Sequence, residues 1–260
     1  MKRSLLNDSI LRSAMASKIT YAKTVQRAIT MPICKQYLGH MCTENDTTVI
    51  NAKATGAHAY VWHTGDNSMT VAFKGSSTPK DILNLMDVRY HEFSFSHSKM
   101  YIHNGVLRMF RSIESELSNH ILGNPISTRN KYITFCGHSL GGSLAMLAAA
   151  YYGNLSVKNI EISCHTFGAP KIGDSRFIEW FKDGVNDSIF INTSNDIIPF
   201  LPIGLYENLD DVSLTLNSFG RVDNDILCLD QPNPIISHDL DTYISSLILY
   251  SNMLKTPLDT

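Results

Sequence analysis

Residues 132–150 read YITFCGHSLGGSLAMLAAA, an apolar run that meets a serine set between glycines and passes at once into a helix-forming run. The first part has the composition of a strand, the last that of a helix. Only Gly137-His138-Ser139-Leu140-Gly141 joins them. Two readings of Ser139 compete. It can be an ordinary N-cap after a tight turn, or a nucleophile lifted clear of the strand. A G-x-S-x-G pattern arises by chance in roughly one chain in ten of this length, so alone it leaves both open. Its setting favours the second. A nucleophile on such a turn requires a strand before it, a helix after it and small residues where backbones close in, and Gly137 and Gly141 stand at those places. The helix N-terminus would then stabilise negative charge developing beside Ser139.

Working outward, AHAYVWH (57–63) and MTVAFKG (69–75) read as strands with a turn at Thr64-Gly65-Asp66-Asn67. Thr78-Pro79-Lys80-Asp81 is a helix start: an N-cap threonine, proline at the first helical position and an acid at the third. A strand around Lys99–His103 precedes a helix over Val106–Leu117. After the central strand and helix come the strand EISCHTF (161–167), a helix around Asp174–Phe181, the strand SIFINTS (188–194) and an amphipathic helix over 241–254. Leu6, Ile10, Ala14 and Ile19 recur at helical spacing, so residues 1–45 read as mainly helical. Strands alternating with helices predict an α/β fold with a mostly parallel sheet covered by helices on both faces. No linker or repeat divides the chain, so one domain over 1–260 is expected, with the 1–45 segment packed on it. In such sheets the working residues gather past the carboxyl ends of strands.

Composition narrows the partners. A formal net charge of −2 and no Lys/Arg run argue against nucleic acid. No stretch approaches the 18 or so apolar residues that a membrane span needs. Five cysteines without metal-type spacing argue against a disulfide framework, and the N-terminus lacks a signal-peptide core; both point to a reducing, cytoplasmic setting. No clustered ligand spacing suggests a metal, and no cofactor is expected.

A serine at neutral pH needs a base, and the base an orienting acid. On a strand–turn–helix elbow their order along the chain is serine, acid, histidine. Only His165 and His238 follow Ser139. The one acid between Ser139 and His165 is Glu161, at the start of the same strand, so His165 fills a sheet position and His238 remains. For the acid, Asp196 and Asp174 both lie past strand ends. Asp196 is nearer its strand and runs into the rigid IIPFLP, whereas Asp174 could equally cap the next helix; the residues favour Asp196 and leave Asp174 open. The oxyanion needs donors: the N–H of Leu140, and that of Ser76, where Gly75 lets VAFKGSS turn sharply.

Together VAFKGSS (71–77), IHNGV (102–106), ITFCGHSLGG (133–142), FGAPKIGD (167–174), NDIIPFLP (195–202) and SHDL (237–240) resemble, in order, the fungal-type (class 3) lipase family of the α/β-hydrolase fold. The resemblance implies Ser139 as nucleophile, Asp196 as acid, His238 as base, and Ser76 and Leu140 at the oxyanion hole. It makes FGAPKIGD a structural signature, which removes Asp174 from the triad, and leaves His103 and His138 structural or pocket-lining. It further implies a lid after Ser76, carrying Ile82, Leu83, Leu85 and Met86, although an amphipathic helix packed on the body would look the same. The chain departs from the family at Lys74, where arginine is usual, at Ile82, where tryptophan is common, and at Leu85, where a carboxylate often holds the oxyanion serine; Asp87 would have to substitute. The implied function is a serine carboxylester hydrolase of acyl glycerols or related lipid esters, with transient contact to a lipid surface. Phospholipase A1 or short-chain esterase activity would use the same triad. A non-catalytic lipid-binding or interaction protein is the alternative of another class.

Overall fold

Alternation along each strand decides which layer it feeds. In a computed structural model, described over residues 2–22, 36, 38, 47–64, 67–76, 90–123, 132–155, 160–193, 195–201 and 233–255, six strands form one sheet. They are β1 (Thr47–Ala52), β2 (Ala57–Thr64), β3 (Ser68–Phe73), β6 (Tyr132–His138), β7 (Glu161–Phe167) and β8 (Asp187–Ile191), side by side in that order. Pairing is antiparallel across β1–β2 and β2–β3 and parallel from β3 to β8, so five strands share one direction and only β2 reverses. Val61, Val71, Phe73, Phe135 and Phe190 point to one side. There they meet the helices α2 (Asn104–Leu122), α3 (Leu140–Asn154) and α4 (Ser175–Gly184). Their neighbours Trp62, Ala72, Cys136 and Ile189 point to the other. That side is covered by α1 (Lys2–Ile19) and α6 (Leu240–Lys255), which follows the short α5 (Pro234–Ser237). The two-sided period is that of a sheet buried on both faces. The expected fold is the observed one.

Two strands and a helix depart most from the sequence reading, and β8 ends at Ile191 instead of residue 194. β1 was not expected; of its six residues only Ile50 is buried, because it is an edge strand and carries little apolar signal. β4 (Tyr90–Phe95) was also missed, and pairs with β5 (Ser98–His103) as a separate hairpin. α2 starts earlier than Val106 because His103 caps it, its Nδ1 accepting from the N–H groups of Gly105 and Val106 at 3.1 and 3.4 Å, and it runs past Leu117 to Leu122, where Gly123 N–H closes on the Asn119 carbonyl at 3.0 Å. The capping reading of Asp174 holds, its Oδ1 accepting from Phe177 N–H at 3.0 Å. The helix start at residues 78–81, the lid residues Ile82, Leu83, Leu85 and Met86, and Asp87 lie outside the described residues.

α3 is buried almost all round, from Leu140 to Ala150. Only small residues permit that; Gly141, Gly142, Ser143 and four alanines let the helix lie close on β3, β6 and β7. This packing holds the turn before it.

Candidate active site

β3, β6, β7 and β8 end on the same edge of the sheet, and each is followed by part of one cluster: Gly75, Ser139, Gly168 and Asp196. Ser139 is the first residue past β6, with φ 57° and ψ −132°. A serine in that region is strained by about 1–3 kcal/mol and persists only where its surroundings impose it. Here they do. Its N–H donates to the Phe167 carbonyl at 2.9 Å, and its own carbonyl accepts from Gly142 N–H at 2.9 Å. A methyl group on Gly137 would stand 2.2 Å from the Gly141 carbonyl oxygen, so the doubled-back chain fits only without one.

His238 and Asp196, 42 residues apart, complete the constellation. His238 Nε2 lies 2.9 Å from Ser139 Oγ, and its Nδ1 lies 2.7 Å from Asp196 Oδ2. A carboxylate only accepts, so Nδ1 carries the proton and the Nε2 lone pair faces the hydroxyl. All three side chains are buried. Asp196 is held from two further directions: Tyr243 O–H donates to Oδ2 at 2.5 Å and Ile198 N–H donates to Oδ1 at 2.9 Å. Burial, with the neighbouring Asp196 charge second, raises the Tyr243 phenol well above its ordinary range, so it stays a donor. The hydroxyl proton thus has an oriented acceptor, and the imidazolium that would form has a fixed counter-charge.

The backbone N–H of Leu140 opens α3 and has no partner within the helix. Ser76, half-buried, follows Gly75, whose Cα approaches so closely that a methyl there would lie 3.3 Å from Ser139 Cβ. Both oxyanion candidates therefore border Ser139. His165 is not brought to the site. It sits inside β7, short of the strand's end, facing α1 with its Nδ1 2.8 Å from Ser13 Oγ. Among the described residues no group of three His, Cys, Asp or Glu is placed to hold a metal ion, and no helix is long and apolar enough to cross a membrane.

Sequence reasoning missed Tyr243 and the contact made by Gly168. No motif marks Tyr243. Gly168 could have been noticed as a glycine at a strand end inside FGAPKIGD. Its φ is +58°, and a methyl on it would stand 2.7 Å from Asp196 Oδ2, 2.8 Å from Tyr243 Oη and 3.2 Å from His238 Cε1. Gly168→Ala should therefore displace the acid and base together, lowering kcat about 100-fold and stability by about 1–2 kcal/mol. Steady-state kinetics beside a denaturant melt would check this; kcat within about twofold of wild type would show that the close contact does not matter.

The fold matches that of a fungal lipase–inhibitor complex with a TM-score of 0.60 at 20% identity, covering 77% of this chain and 76% of the other. In sequence, a lipase of Rhizomucor miehei is 27% identical over 144 residues, which are 53% of this chain and 39% of that protein. A chloroplastic phospholipase A1-Ialpha2 of Arabidopsis thaliana is 26% identical over 216 residues, 70% of this chain and 44% of that one. A secreted mono- and diacylglycerol lipase of Fusarium solani is 24% identical over 101 residues, 39% and 29% respectively. The chain thus spans less than half the length of each of these relatives. They overturn the cytoplasmic expectation, since one relative is secreted and another chloroplastic. The reason is physical: the thiols of Cys136 and Cys164 are buried, with burial pushing that of Cys136 up to about 12, so they pack as small hydrophobes and report no redox compartment. The sequence signature of the family described as Lipase (class 3) matches residues 70–205, more than half of the chain. With the motifs, the sheet and the serine elbow all of that type, the chain belongs to the class 3 lipase family.

Proposed function

We propose that this protein is a serine carboxylester hydrolase acting on acyl glycerols or related lipid esters. One observation carries the reading: a strained, buried serine hydrogen-bonded through His238 to a carboxylate that three donors hold in place. In the proposed reaction Ser139 Oγ attacks the ester carbonyl as His238 Nε2 takes its proton. The carbonyl oxygen becomes an oxyanion between the N–H groups of Leu140 and Ser76. Collapse expels the alcohol, which leaves with the proton from His238, and the acyl group stays on Ser139. Water then gives a proton to His238 and attacks the acyl carbon, releasing the fatty acid and restoring the serine. No cofactor enters this scheme.

Lipase and phospholipase A1 names among the relatives favour a lipid ester over a generic one, and both substrate classes suit the same machinery. Profiling hydrolysis across acylglycerol and phospholipid vesicles separates them. The class of reaction is tested by a fluorophosphonate probe, which labels an activated serine covalently. The wild-type chain should label and Ser139→Ala should not. Equal labelling of both, or none of either, would mean that Ser139 is no nucleophile.

A further inference from the structure

The hydroxyl of Tyr21 lies where three parts of the site meet. Tyr21 sits in the turn that ends α1, its N–H donating to the Lys18 carbonyl at 3.1 Å. The buried Ile19 and the Thr20 hydroxyl, bonded to the Ser17 carbonyl at 2.7 Å, fix that turn against the sheet. The Tyr21 side chain then reaches Gly75, in the loop proposed to carry the oxyanion donor. A methyl on Gly75 would stand 2.2 Å from Tyr21 Oη, so the missing side chain is the socket that admits the hydroxyl. Gly75 thus packs its backbone directly against the phenol oxygen. On its other side Tyr21 Oη lies 2.9 Å from Nδ1 of His138, the residue just before Ser139.

His138 carries the contact onward. Its Nε2 is 2.7 Å from the main-chain carbonyl of His238, and a carbonyl only accepts, so Nε2 holds the ring's proton. The ring is neutral: burial, with the neighbouring His238 second, pulls it down to about 3. Nδ1 is therefore a bare acceptor, and Tyr21 must donate to it. The two imidazoles lie face to face at a tilt, centroids 4.8 Å apart. The chain of bonds runs Tyr21 O–H, His138 Nε2–H, His238 carbonyl, with Gly75 packed on its first member, and it spans 117 residues from Tyr21 to His138 and 100 from His138 to His238.

Resting on the hydrolase reading above, we propose that Tyr21 is a positioning residue that, through His138, fixes the oxyanion loop, the serine elbow and the backbone of the base in one register. Tyr21 lies outside residues 70–205 and carries no motif, so only the fold reveals it. A tyrosine that merely packed would turn its hydroxyl to water; this one donates it to His138 and seats it against Gly75.

The test is a double-mutant cycle with Tyr21→Phe and His138→Asn, assayed on p-nitrophenyl butyrate with rates expressed per fluorophosphonate-titrated site. Titration removes unfolded protein from the count. Each single change should lower kcat about 10- to 100-fold with KM moved less than about threefold. The double variant should be no slower than the worse single one, because both break the same chain. Ser13→Ala, which loosens α1 at its bond to His165 away from the site, should lower the melting temperature and leave kcat per site unchanged. Turnover per site unchanged in Tyr21→Phe, losses that multiply in the double variant, or an equal kcat loss in Ser13→Ala would each overturn the proposal. A wild type that neither labels nor turns over sinks the hydrolase reading itself; one that does both beside an unimpaired Tyr21→Phe sinks the positioning role alone.

Discussion

Ser139→Ala should slow ester hydrolysis about 10⁵- to 10⁶-fold, with His238→Ala equally slow and the double variant no slower than either. The reason lies in the bond pattern. The lone pair of His238 Nε2 faces only Ser139 Oγ, so each group is idle without the other. What remains is binding and oxyanion donation from groups that have no nucleophile to serve. Residual turnover above about 1% of wild type would reveal a second nucleophile. Ser13 is the serine to suspect, being bonded to His165, but it is buried where α1 packs on the sheet, and its partner lies inside β7 rather than past its end. A companion variant separates chemistry from strain. Ser139→Gly should be as inactive as Ser139→Ala yet more stable than wild type by about 1–2 kcal/mol, because glycine meets no penalty at φ 57°. An equal or lower melting temperature for Ser139→Gly would mean that the elbow stores no strain.

Asp196→Asn should lower kcat about 10⁴-fold while leaving the fold and KM nearly unchanged. Two donors converge on Oδ2, from His238 and Tyr243, and one on Oδ1, from Ile198. An amide offers only one acceptor end. With its oxygen towards Ile198, its NH₂ meets His238 Nδ1, which must then give up its proton and become the acceptor. The ring proton moves to Nε2, pointing at Ser139 Oγ, and no base remains. With its oxygen towards His238, the NH₂ meets the Ile198 N–H and the loop must shift. Either way the buried counter-charge for the imidazolium is gone. Steady-state kinetics near neutral pH decide the matter; a variant within about tenfold of wild type would exclude Asp196 as the orienting acid.

Much of this was legible along the chain. The elbow could be read because it needs small residues in fixed places, and His238 because chain order left few histidines. Asp196 stood out as a carboxylate just past a strand and before a rigid loop. Asp174 was ambiguous on local grounds, since capping and catalysis both suit an acid before a helix, and its bond to Phe177 resolves it as a cap. Tyr21 and Tyr243 were not legible, and of Gly168 only its place at a strand end was. Each acts on a residue many positions away, through a hydroxyl or a missing side chain, and no spacing rule encodes that. β1 and β4 escaped for a different reason: an edge strand and a partly exposed hairpin need few buried side chains, and periodicity is a signal of burial.

The two helices on the Cys136 side of the sheet also determine what can be cut away. Residues 70–205, the part shared across the family, contain neither α1 nor α6. A fragment trimmed to that span would lose His238, and it would also bare Ala72, Cys136, Phe167 and Ile189 to water as one contiguous apolar slab on a sheet stripped of β1 and β2. Such a surface seeks another copy of itself. For this chain the smallest piece that covers its own sheet is set by that face, and it is considerably larger than the span that the family signature matches.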